Sequence, residues 1–210
     1  MYADSWPQDE EKKRTEMKTD IILSGVGGQG ILSVATIIGD AATRSGVTLK
    51  QAEVHGMSQR GGDVQSNLRL SDGDISSDLI ALGGSDMVIS LEPMEALRYL
   101  PYLSKDGWII TSSTPFINIP NYPDVDSLMA ELKSLPHVVV IDVEGMAKEN
   151  HLNRSANVIL LGAAAPYLRI LDAAVLRESV GRVFAAKGDS VVEANLKAFD
   201  LGFNFTINSK

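Results

Sequence analysis

Cysteine is missing altogether from the 210 residues. That absence removes disulfides, cysteine nucleophiles, thiolate zinc sites and the four-thiolate ligation an iron-sulfur cluster ordinarily needs. If electrons pass through clusters, another chain must hold them. Histidine is almost as scarce: His55, His137 and His151 have no metal-binding spacing and support no hydrolytic triad. Positive charge is also short, 19 Lys and Arg against 27 Asp and Glu, for a net charge of −8. With no basic stripe to release counterions from a phosphate backbone, nucleic acid is not an expected partner. No apolar run reaches the ~18 residues of a membrane helix, and residues 1–16 are too polar for the centre of a signal peptide. The protein is therefore expected to be soluble and cytoplasmic, with no membrane partner.

What is present suits a single core, since 44% of the residues are hydrophobic. Residues 1–16 mix charges without an apolar period and read as a disordered tail, leaving 17–210 as one domain. Strand signals recur over 20–24, 47–54, 86–91, 108–111 and 138–143. Strict alternation of Val64, Ser66, Leu68 and Leu70 with polar residues adds a half-buried strand over 63–71. The short link before that strand predicts antiparallel pairing with its predecessor, hence a mixed sheet. Helical spacing covers 31–45, 94–103 and 125–134, and a proline-rich loop occupies 114–123. Beyond Asp142 the pattern is helical, over 156–170 with a kink at Pro166, 173–186 and 191–200. The fold class is α/β: a three-layer, Rossmann-like domain with a mixed, mostly parallel sheet and a helical C-terminal portion.

Two glycine-rich segments carry chemistry. Gly25-Val-Gly27-Gly28-Gln29-Gly30 follows a strand and opens a helix, where backbone N–H groups and the helix dipole favour an anion. Glu53 stands 23 positions past Gly30, about where a dinucleotide site keeps its ribose-binding acid. On this pattern alone an NAD(P)-binding dehydrogenase and a purely structural turn both stand. The C-terminal helices, however, offer no His–acid pair for hydride transfer. The second segment, His55-Gly-Met-Ser58-Gln59-Arg60-Gly61-Gly62, concentrates a hydroxyl, an amide and a guanidinium among glycines. Its backbone can approach a ligand or another chain closely, and Arg60 can grip a phosphate or carboxylate with two donors. It is not a nucleophile elbow, because Arg60 stands where glycine is required, and Ile31 after Gly30 rules out a Walker loop. Glu92 and Glu95 sit beside a strand end and suit a helix cap.

Together with Ser90-Leu-Glu-Pro-Met-Glu-Ala and Asn195-Leu-Lys-Ala-Phe-Asp-Leu-Gly202, these segments resemble the gamma domain of the pyruvate and 2-oxoacid ferredoxin oxidoreductases, and within it the indolepyruvate-type beta subunits. The resemblance runs over about residues 18–203. It implies an accessory subunit, inactive alone, of a complex that converts aryl pyruvates to aryl-acetyl coenzyme A and passes electrons to ferredoxin. It also implies that a large catalytic alpha subunit holds thiamine diphosphate and the iron-sulfur clusters, this chain binding no cofactor alone. No catalytic or metal-ligating residue is expected here. The residues expected to face the assembled site, and to contact coenzyme A or the partner, are Gly25, Gly27, Gly28, Gln29, Gly30, Ser58, Gln59, Arg60, Gly61 and Gly62.

Overall fold

The computed structural model describes residues 17–55, 62–117 and 119–209. The expected disordered tail, and Ser58, Gln59, Arg60 and Gly61 of the second glycine segment, lie outside these residues. The elements in chain order are β1 (Lys18–Val26), α1 (Ile31–Arg44), β2 (Thr48–His55), β3 (Asp63–Ser71), β4 (Ser85–Ser90), α2 (Pro93–Arg98), β5 (Leu103–Ser112), α3 (Val125–Ser134), β6 (Val138–Ile141), α4 (Val143–Glu149), α5 (Ala156–Ala164), α6 (Ala173–Phe184) and α7 (Asp189–Asn208).

The strands form one mixed sheet in the order β2-β3-β1-β4-β5-β6. β3 is antiparallel to both β1 and β2, whereas β1, β4, β5 and β6 pair in parallel. Both faces are covered, so β1 is apolar almost throughout rather than alternating. Ile21 and Leu23 pack into a core with α1, α4, α5, α6 and α7. Ile22 belongs to a smaller core with Ala96 of α2 and with Leu128 and Leu132 of α3. Each fully buried Ile or Leu of this kind stabilises the fold by about 1.5–3 kcal/mol.

Four sequence expectations need correction. The helix expected over 94–103 stops at Arg98, because Pro101 cannot continue it, and Leu103 already begins β5. The strand expected to reach Val143 ends at Ile141, since the Asp142 carboxylate accepts the Gly145 N–H at 2.9 Å and starts α4, a helix the apolar pattern concealed. Pro166 ends α5 in a 3-10 turn rather than kinking it, and α5 is buried almost all round. Finally, α7 runs on to Asn208 instead of stopping at Asp200. Gly202, which looks like a terminator, sits inside this helix against α5: a Cβ there would stand 1.8 Å from the Ile159 carbonyl oxygen, and one at Gly162 would stand 2.1 Å from that of Phe199. Backbone thus meets backbone at this crossing.

Candidate functional site

The C-terminal ends of β1 and β4 meet at one edge of the sheet, where the chain departs from β1 to one side and from β4 to the other. Such switch points leave a crevice where ligands of open α/β sheets bind. The turn 27–30 fills one lip. Gly28 and Gly30 have φ of 104° and 88°, values that L side chains rarely adopt. Gly30 also has no room for a side chain, since its Cβ would meet Asn157 Nδ2 at 2.7 Å. These conformations turn the backbone sharply from β1 into α1. Among the described residues, the N–H groups of Gly28, Gly30, Ile31 and Leu32 meet no acceptor. A row of unpaired donors at the positive end of a 14-residue helix is an anion-binding arrangement.

Gln29 behaves differently from its neighbours. Its Oε1 accepts the Val26 N–H at 2.7 Å and its Nε2 donates to the Leu91 carbonyl at 3.1 Å, so the side chain ties the end of β1 to the end of β4. It holds the lip in shape with its own amide engaged. A side chain at Gly25 would collide with it, its Cβ lying 2.8 Å from Gln29 Oε1.

The two glycine segments come together through β3. Because β3 runs antiparallel to β1, its first residue, Asp63, lies opposite Val26, and the Gly27 N–H donates to the Gly62 carbonyl at 2.9 Å. Any ligand on the turn 27–30 therefore lies near Gly62, the last residue of the second glycine segment. The same insertion weakens the dinucleotide reading. In a dinucleotide fold the strand bearing the ribose acid adjoins β1; here β2 is one strand further out, roughly 10 Å away. Glu53 pairs through Ser66 with Leu23, short of the strand end, and takes a hydrogen bond from the Gln51 amide.

Sequence reasoning passed over two supports. Asn157 opens the apolar helix α5 and donates Nδ2 to the Gly30 carbonyl at 3.1 Å, fixing the turn from behind. An amide inside an otherwise apolar run was the available signal. Glu92, fully buried, caps α2 as expected by accepting the Glu95 N–H at 2.8 Å, but it also accepts the Phe116 N–H at 3.2 Å and the Tyr122 hydroxyl. It anchors the proline-rich loop to the crevice. Burial, and then the bond to Glu92, holds the Tyr122 phenol above its ordinary range. Burial raises the Glu95 carboxyl as well, opposed by Arg98, whose Nε lies 2.7 Å from Glu95 Oε2. The Tyr99 phenol, buried and facing the charges of Asp63 and Glu95, is pushed up to about 12. Among the described residues, no cluster of His, Asp or Glu could hold a metal, and no helix is long and apolar enough to cross a membrane.

Comparison with known proteins adds to this geometry. Residues 20–205 match the family described as pyruvate ferredoxin/flavodoxin oxidoreductase. The chain is similar to the indolepyruvate oxidoreductase subunit IorB of Archaeoglobus fulgidus, with 34% identity covering 92% of this chain and 98% of that one. It is also similar to the same subunit of Pyrococcus horikoshii, with 35% identity covering 87% and 93%. The fold matches that of the gamma subunit of keto/oxoacid ferredoxin oxidoreductase from Geobacter sulfurreducens, with a TM-score of 0.67 and 23% identity, covering 90% of this chain and 99% of that one.

Proposed function

Since the chain belongs to the pyruvate ferredoxin/flavodoxin oxidoreductase family, we propose that it is the accessory beta subunit of an indolepyruvate ferredoxin oxidoreductase. In this reading a larger alpha subunit carries thiamine diphosphate and the iron-sulfur clusters. The complex acts in the cytoplasm, takes an aryl pyruvate and coenzyme A, releases carbon dioxide and aryl-acetyl coenzyme A, and passes two electrons to ferredoxin. The observation that carries the reading is identity of 34–35% to IorB subunits over nearly the whole of both chains. The division of labour follows from chemistry, because a chain without cysteine has no thiolates for a cluster.

Residues 17–210 act as one unit in this proposal, and the role of the unit is to complete the catalytic site at the crevice. The N–H groups of Gly28, Gly30, Ile31 and Leu32, which meet no acceptor among the described residues, fit a phosphate of coenzyme A, and in this proposal Arg60 supplies a cation to it. Gly25 and Gln29 keep the turn close-packed and Gly27 binds Gly62, and in this proposal Ser58, Gln59 and Gly61 belong to the second segment that faces the same ligand or the partner.

The test is dye reduction with indolepyruvate and coenzyme A, by each subunit alone and by the co-expressed pair, with NAD binding measured in parallel. Turnover that requires both chains, without NAD binding, is expected; full activity of the alpha subunit alone, or tight NAD binding by this chain, overturns the reading. In the assembled complex, Arg60→Ala is expected to raise the KM for coenzyme A about tenfold, the loss of one charge-assisted contact. An unchanged KM assigns the loop to subunit contact instead.

A further inference from the structure

Large apolar side chains left in contact with water are few among the described residues, and they are not spread evenly. Phe116, Ile117 and Ile119 are 44%, 65% and 37% exposed and fall together in the proline-rich loop after β5. Leu32, in the first turn of α1, and Val54, near the end of β2, are exposed at the same edge of the sheet, the edge that carries the crevice. From β2 to β5 this rim spans four strand spacings, roughly 19 Å. Single exposed apolar residues are normal on any surface, but a group of them marks a place that another molecule covers.

The loop has the make-up of the middle of a protein–protein interface. Residues 108–123 hold no charged side chain, although 22% of the chain is charged. Interface cores are depleted of charge in the same way and enriched in aromatic residues such as phenylalanine. The loop is also held in shape before any partner arrives. The Ser113 N–H donates to the Ile141 carbonyl at 2.9 Å, and the Tyr122 N–H to the Ile119 carbonyl at 3.3 Å. The Phe116 N–H, at 3.2 Å, and the Tyr122 hydroxyl both donate to the buried Glu92 carboxylate. Pro115, Pro120 and Pro123 restrict the backbone further. A segment fixed in this way has little freedom left to lose on binding, so the apolar area that it buries counts towards affinity.

We propose that Phe116 and Ile117 are the anchors by which this chain docks onto an apolar patch of the larger alpha subunit. The proposal rests on the accessory-subunit reading and adds to it the surface that supplies the affinity. The place of the loop selects this occupant over a second copy of the chain. Gln29 ties the glycine turn to the Leu91 carbonyl, and the next residue, Glu92, holds Phe116, so the loop continues the lip of the crevice. A chain that completes the site at the crevice therefore also lies over the loop, whereas a second copy seated there would shut that chain out.

Titration calorimetry of the full chain with the purified alpha subunit tests the proposal. Phe116→Asp/Ile117→Asp is expected to weaken binding about thirtyfold or more, the effect of losing one buried anchor. Both side chains are exposed, so the Tm is expected to hold, as is the KM for coenzyme A once the alpha subunit is saturated with the variant. Ile117→Asp alone, at the more exposed of the two positions, is expected to weaken binding about tenfold. Leu79→Asp/Leu82→Asp is the control: both leucines are exposed in the link before β4, at the opposite edge of the sheet, and binding is expected to be unchanged. Unchanged affinity in Phe116→Asp/Ile117→Asp, or an equal loss in the control, overturns the proposal and leaves the accessory-subunit reading standing. A dimer of the isolated chain in size-exclusion chromatography that Phe116→Asp/Ile117→Asp separates assigns the loop to a second copy, and also overturns it. No binding of the alpha subunit by the unsubstituted chain overturns both.

Discussion

Glycines do opposite work at the crevice and at the α5/α7 crossing. At Gly28 the space around the missing side chain is open, and what glycine supplies is a left-handed backbone that turns the chain sharply from β1 into α1. At Gly202 the backbone is ordinary helix, and what glycine supplies is room, since the Ile159 carbonyl occupies the place of a Cβ. One glycine shapes a surface for something else to bind, and the other lets two parts of the same chain touch. Substitution separates the two roles.

The largest effect is expected at the crossing. Gly202→Leu forces α7 off α5 and costs about 3 kcal/mol or more; urea denaturation would show a chain that is unfolded or has a much lower midpoint. On the crevice side the strongest support is polar. Glu92→Ala strands the Glu95 and Phe116 N–H donors and the Tyr122 hydroxyl, and a loss of about 2–3 kcal/mol is expected, with faster proteolysis around 113–123 as a second readout. Gly28→Ala meets no atoms, so it costs only the left-handed strain, about 1–2 kcal/mol, while raising the KM for coenzyme A in the complex. If Gly28→Ala proved as destabilising as Gly202→Leu, the contrast between a conformational and a steric glycine would collapse.

Gly181 in α6 provides the control. It has neither a positive φ nor a close neighbour, the nearest atom to a Cβ being Val192 Cγ1 at 3.8 Å. Gly181→Ala is expected to stabilise by about 0.4–1 kcal/mol, measured as a rise in Tm. The smallest effect concerns pH. Burial raises the Glu95 carboxyl, so its contribution to stability is present below its unfolded pKa and lost as pH rises through the folded value. Arg98 opposes that shift; Arg98→Ala is therefore expected to steepen the fall of Tm as pH rises through the carboxylate range.

Much of this is legible in the sequence. The run 20–24, the alternation from Val64 to Leu70 and the glycine turn were visible because period and turn chemistry are local. The Glu92 cap was legible for the same reason. Its reach to Phe116 and Tyr122 was not, because those residues are 24 and 30 positions away. The missed helix α4 shows another limit: Val143 is apolar enough to continue a strand, and only the cap formed by Asp142 decides otherwise. Asn157 stood out only as an amide in an apolar run, and its role was not legible because its partner, the Gly30 carbonyl, lies 127 residues earlier.

By itself the sequence determined the α/β class, the absence of thiolate chemistry and the two glycine segments, since composition, short-range period and backbone freedom are properties of residues and their near neighbours. The tertiary structure decided the order of the strands. An alternating strand buries one face equally well beside β1 or beyond β2, so nothing local told β3 to insert between them. That insertion moves Glu53 away from the glycine turn and brings Gly62 onto Gly27, and with it the site changes from a dinucleotide pocket to the meeting of two glycine segments.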